Sequence, residues 1–186
     1  MFIIKNNYYI YIENTKVLNL NRIKRNKKIS IIYRNNGVKE NVEIIRKFKR
    51  QCTLKGFKFY ISNDLKLLKY CKADGLYVSS YNKKIYLEKN LKLIGSAHSF
   101  KEINEKLKQG CKDIFLSRLF KTPYKNKATF LGVVKFNLIA NKYNLKFIAL
   151  GGIKDSNLNK LNIVKTKGLA LLSEIKKKPA ISSRLF

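Results

Sequence analysis

Eight short apolar runs, each bounded by polar or charged residues, recur along the whole chain. They are YYIYIEN (8–14), ISIIYRN (29–35), FKFYISN (57–63), DGLYVSS (74–80), LKLIGSA (91–97), DIFLSRL (113–119), LKFIALG (145–151) and GLALLSE (168–174). Several are close to continuously hydrophobic, as parallel strands covered on both faces are. The stretches between them read as helices of uneven quality. SFKEINEKLKQG (99–110) is the best formed: Ser99 and Glu102 make a capping box, Phe100, Ile103 and Leu107 share a face, and Gly110 stops it. LGVVKFNLIANKYN (131–144) puts Leu131, Val134 and Leu138 on one stripe. VKENVEIIRKFKRQCTLKG (38–56) groups Val38, Val42 and Ile45 and ends at Gly56. LKLLKYCK (65–72) is barely two turns, and YNKKIYLEKN (81–90) offers no helix.

Eight β/α units predict an α/β fold, a (β/α)8 TIM barrel occupying residues 1–186 as one domain. The fold usually takes about 200 residues or more, so some helices must be short or missing. An open, doubly wound sheet is the alternative.

Composition narrows the function classes. No apolar run reaches the roughly 18 to 20 residues that span a bilayer, and the N-terminus lacks a signal-peptide pattern, so a cytoplasmic protein with no membrane partner is expected. Cys52, Cys71 and Cys111 are far apart and form no C-x-x-C pair, which disfavours zinc and dithiol chemistry. The 41 Lys+Arg against 11 Asp+Glu give a net charge of +30. That excess makes a polyanion a candidate partner. The lysines, however, are spread along the chain, with dense runs only at 22–28, 46–50 and 176–178. Attraction of small phosphorylated substrates accounts for such basicity better than specific nucleic-acid binding does. Oligomeric state is not legible here.

In a barrel, chemistry sits where strands run out into their C-terminal loops. The seventh strand ends in Gly151-Gly152, and the eighth runs into Ser173. A phosphate commonly binds between those two loops on backbone N–H groups, which glycines leave uncovered. The third strand ends in Asn63-Asp64; Asp64 suits a metal ligand or a helix cap. Arg34 ends the second strand, where a guanidinium fits a phosphate or simply faces solvent. The fifth gives Ser96 and His98, the only histidine. The loop after the sixth carries Thr122 and Lys125, a hydroxyl and an ammonium suited to a diphosphate.

Taken in order, these segments resemble the thiamine phosphate synthase / thiazole tautomerase family, from about residue 57 to 175. FYISND, ADGLYVSS, IGSAHSFKEI, FKTPYK, IALGGI and GLALLSEI each resemble a family motif. The resemblance implies the barrel fold and a thiamine biosynthesis activity. The family's synthase joins an aminopyrimidine methyl diphosphate to a thiazole phosphate and releases pyrophosphate. By position, Gly151, Gly152 and Ser173 would hold the thiazole phosphate. Arg34, Asn63, Ser96, Thr122 and Lys125 would hold the diphosphate, and Asp64 would be a magnesium ligand. Arg34 and Lys125 would also assist the departing group, and His98 matches the acid/base histidine of the tautomerase branch. The chain departs from the pattern at Ile32 and Asn36, where the family has Gln and Lys. It departs again at Asn82, where a second magnesium-binding Asp belongs, and at Tyr124, where a second Thr belongs. Three readings stand: a divergent synthase, a relative using only the thiazole side, and a basic nucleic-acid-binding module.

Overall fold

The computed structural model describes residues 7–37, 40–122 and 129–171. Its eight strands are β1 (Asn7–Ile12), β2 (Ile29–Tyr33), β3 (Lys58–Ser62), β4 (Gly75–Val78), β5 (Leu93–Ala97), β6 (Asp113–Ser117), β7 (Lys146–Leu150) and β8 (Gly168–Leu171). Each pairs in parallel with the next, and β8 returns to β1 through Asn7 opposite Gly168, which closes the barrel. The alternative of an open sheet is thereby excluded.

Side chains alternate across each strand, so one set fills the cylinder and the other meets the outer layer. Tyr9, Tyr11, Ile32, Tyr60, Tyr77, Ile94, Phe115, Ile148 and Ala170 form the interior cluster. Four of these are tyrosines, and three of them meet Phe115 edge-on: Tyr9 at 4.8 Å, Tyr77 at 5.5 Å and Tyr11 at 5.9 Å between centroids. The opposite face of the strands joins the helices in the larger core.

The outer layer is incomplete. Four α-helices cover the strands among the described residues: α1 (Val42–Leu54), α2 (Leu65–Cys71), α3 (Phe100–Lys108) and α4 (Gly132–Lys142). Short 3-10 turns follow β1, and a 3-10 stretch, Asp155–Ile163, follows β7. Residues 79–92 join β4 to β5 with no helix. This accounts for a barrel built from so short a chain. Among the described residues no helix is long and apolar enough to cross a membrane.

Helix positions match the periodicity, but the buried faces differ from it. In α4 the inward residues are Phe136 and Ile139, while Val134 and Leu138 are largely exposed. In α1 they are Ile45, Phe48 and Cys52, with Val42 exposed and Val38 outside the described residues. In α3, Ile103 is buried as expected, but Phe100 and Leu107 are exposed and Lys106 is fully buried. The α3 cap is also shifted. Ser99 Oγ accepts from Glu102 N, but the Glu102 carboxylate reaches back to the His98 N–H at 2.6 Å instead of to Ser99.

At the opposite end of the barrel, exposed lysines stand at or one residue before strand starts: Lys28, Lys58, Lys92, Lys112, Lys146 and Lys167.

Candidate functional site at the barrel mouth

Two residues beyond the interior cluster on β1 to β6, the inward positions are polar: Glu13, Arg34, Ser62, Ser79, Ser96 and Ser117, while β7 carries Leu150 there. They ring the C-terminal mouth above the aromatic filling. Arg34 is half-buried, and its charge acts on both Tyr11 and Tyr77 below it. Burial pushes Tyr11 well above its ordinary pKa and raises Tyr77 too, so both remain protonated donors at neutral pH. Tyr11 is more than nine-tenths buried, and among the described residues its Oη makes no hydrogen bond of ordinary geometry. A buried hydroxyl left so costs about 1–3 kcal/mol, which a ligand or water at the mouth would recover. Tyr11 and Tyr77 went unnoticed in the sequence because they read as strand hydrophobes.

The glycine pair adopts positive φ at both residues, 97° at Gly151 and 69° at Gly152. A Cβ on Gly152 would collide with the Phe120 carbonyl oxygen and stand 2.6 Å from that of Lys121. The glycines therefore let the loop after β6 lie directly on the loop after β7, an internal reason for them alongside any ligand. Both carbonyls face protein: Phe120 N donates to Gly151 O at 3.0 Å and Asn157 Nδ2 to Gly152 O at 2.7 Å. Among the described residues no acceptor takes either glycine N–H. Beside them lies Arg118, whose stem would meet a Gly151 Cβ at 3.0 Å. Its guanidinium donates to Thr122 Oγ1 at 3.1 Å and to Thr129 O at 2.8 Å. Arg118 thus brings a cation to the glycine turn, a position that the strand-end motifs did not single out. Ser173 and Lys125 lie outside the described residues, as does Tyr124.

Ser96 is buried beside Tyr77. His98 is exposed, and its Nδ1 lies 2.8 Å from Ser117 Oγ, tying the β5 and β6 ends together.

The β3–β4 side is knotted by amides. Asn63, with φ of 58°, accepts from Ser79 N at 3.0 Å and from Asn82 Nδ2 at 2.9 Å through one oxygen. Its Nδ2 donates to Ser79 Oγ at 2.8 Å and to Tyr81 Oη at 3.2 Å. All four positions of this amide are in use. Asn82 is committed too: its second Nδ2 proton goes to Tyr86 Oη and its Oδ1 accepts from Lys84 N, both at 2.9 Å. Asp64 caps α2, taking the Leu67 N–H at 2.9 Å through Oδ1. Both sequence roles, cap and ligand, remain compatible with that geometry, since one carboxylate oxygen has no partner among the described residues. A cavity of about 830 Å³ opens beside it, between residues 63–66 and 84–88, on the flank that lacks a helix.

Magnesium can be held by one or two carboxylates together with substrate phosphates and water. Asp64 fits that minimal arrangement; Asn82 offers only a neutral amide oxygen, already accepting from Lys84 N. Among the described residues no group of three or more His, Cys, Asp or Glu is placed to hold a metal.

Comparison with known proteins gives the family and the fold. A family model described as thiamine monophosphate synthase matches residues 7–175. A thiamine-phosphate synthase of Prochlorococcus marinus is 34% identical over 108 residues, 55% of this chain and 31% of that protein. One of Clostridium perfringens is 23% identical over 147 residues, 76% of this chain and 71% of that protein. This chain spans between 31% and 40% of the length of the curated relatives it matches first. The solved thiamine phosphate pyrophosphorylase from Pyrococcus furiosus shares the fold, with a TM-score of 0.76 at 17% identity over 97% of this chain and 92% of that one.

Proposed function

The chain belongs to the thiamine monophosphate synthase family, and from that premise we propose that it joins an aminopyrimidine methyl diphosphate to a thiazole phosphate with release of pyrophosphate. The observation carrying this reading is the convergence on one mouth of Arg34, Ser96, Thr122 and the Gly151-Gly152 turn, drawn from five strand ends once Asn63-Asp64 is included. The thiazole phosphate rests on the N–H groups of Gly151 and Gly152, which no acceptor among the described residues takes, with the Arg118 cation beside it; by the family motif Ser173 would join them. The diphosphate lies toward Arg34, Asn63, Ser96 and Thr122, and by the family motif Lys125 would join them. As its bond to the pyrimidine methylene breaks, the diphosphate keeps the electron pair, and positive groups already in place lower the barrier. Magnesium at Asp64 would supply further charge neutralisation. The phenols of Tyr11 and Tyr77 floor the site and keep it dry beneath the reacting carbon.

The saturated Asn63 amide favours a second reading, because a diphosphate would have to displace existing hydrogen bonds there. In that reading the chain uses only the thiazole side, as a tautomerase-like enzyme with His98 as acid/base, or as a phosphate-ligand binder. The deciding experiment is product formation from both substrates, with and without magnesium. Product formation supports the synthase. A folded chain that makes none, yet gains thermal stability with thiazole phosphate, supports the second reading.

A further inference from the structure

Lys106 is fully buried although it lies on a helix whose neighbours Leu107 and Lys108 are exposed. An ammonium is rarely taken out of water without a compensating partner. Here Nζ donates to the backbone carbonyl of Asn82 at 2.6 Å and to Gln109 Oε1 at 2.8 Å, and no carboxylate forms a salt bridge with it among the described residues. Gln109, also buried, completes a clamp: its Nε2 donates to Asn82 O at 2.9 Å and to Lys84 O at 2.8 Å. Both targets lie in the connection between β4 and β5, the segment with no helix of its own. The lysine stem reaches them across β5 at Gly95, where a Cβ would approach its Cγ and Cδ to 3.0 Å. That close passage explains a glycine in mid-strand.

We propose that Lys106 and Gln109 are positioning residues that hold the β4–β5 connection, and through it the Asn82–Asn63 amide pair, at the barrel mouth. The chain of contacts runs from α3 through Asn82 O to the Asn82 side chain, then to Asn63 Oδ1 and on to Ser79 N. A crossover helix would ordinarily set this register by packing; here two side chains of the next helix set it by hydrogen bonds. The functional half of this inference rests on the synthase reading, because it places the diphosphate beside Asn63 and Asp64.

Two substitutions separate positioning from support of the core. Lys106→Met keeps the stem and removes the charge. Gln109→Glu gives the lysine a carboxylate partner but turns an oxygen toward Asn82 O and Lys84 O. The core is thereby retained while each variant removes one of the two arms of the anchor. Hydrogen exchange on the full chain, without ligand, should rise about tenfold or more across residues 79–86 in both variants, with β2 unchanged. With substrates, KM for the diphosphate should rise about tenfold while kcat and the thiazole phosphate KM stay within about twofold. Unchanged exchange over residues 79–86 in the folded Gln109→Glu chain would overturn the proposal. So would an equal rise in both KM values. If the wild type makes no product, the synthase reading fails by itself, and the exchange result still decides whether the clamp holds the loop.

Discussion

At Gly152 a single added methyl would strike two carbonyl oxygens of the neighbouring loop. Gly152→Ala should therefore cost about 1–3 kcal/mol in urea unfolding, from positive-φ strain together with the displaced β6 loop. Because this loss arises inside the protein, it does not by itself report on ligand binding. Arg34 allows a cleaner test. It lies at the mouth on the far side from the glycine turn, and Arg34→Met should lower kcat/KM by about 10²-fold while leaving the melting temperature nearly unchanged. An equal loss of stability would show that the guanidinium holds the tyrosine floor in place and does not serve the diphosphate. Asp64 can be read by a pair of substitutions. Asp64→Asn keeps a good cap and should leave stability intact while weakening the response to magnesium. Asp64→Ala should cost about 1 kcal/mol in addition. If both variants respond to magnesium as the wild type does, Asp64 is a cap only.

Among the elements, strands were far more legible than helix faces. All eight appear within a few residues of the apolar runs that announce them, because a barrel strand is buried on both sides and its hydrophobicity is continuous. The helices carry apolar residues on more than one side, so periodicity finds the helix without choosing its inward face. In α4, Val133, Val134, Phe136, Leu138 and Ile139 offer two competing stripes, and the larger Phe136 takes the interior against Phe147. Lys106 was illegible for a different reason: nothing local distinguishes a lysine with a loop carbonyl above it from one facing water. The 3-10 stretch at Asp155–Ile163 has one buried residue, Leu161, and so gave no periodic signal. At the site, strand-end polarity located the mouth, but the partners of Asn63 and the neighbours of Gly152 depend on loops whose approach no spacing encodes. Cysteine burial adds a prediction at this scale. Desolvation raises Cys111 to about 11 and Cys52 to about 12, and Cys71 rises also. The native chain should thus resist a thiol reagent at pH 8 and react fully once unfolded. A raised thiol pKa contributes stability that is complete below about 9 and is lost as pH climbs toward 11 and 12, so urea midpoints should fall across that interval.

For the whole molecule, charge is distributed unevenly. Most described carboxylates, Glu13, Glu40, Glu43, Asp64, Glu102 and Asp155, lie toward the mouth or at helix starts beside it. The opposite rim carries the strand-start lysines, with Asp74 and Asp113 among them. Many like charges within a Debye length of about 8–10 Å repel one another, and salt screens them. The melting temperature should therefore rise between about 0.05 and 0.5 M sodium chloride. Association with duplex DNA at low salt should vanish near physiological ionic strength; persistence there with a steep logarithmic salt slope would revive the nucleic-acid reading.

The tyrosine-filled interior has an experimental use. The chain contains no tryptophan, so its ultraviolet emission comes from phenols alone, four of them in the barrel interior at the pocket floor. Occupancy of that pocket should alter their quantum yield without any attached dye. Replacing Tyr11 by Phe would then identify which ring does the reporting, and the protein could be titrated by its own light.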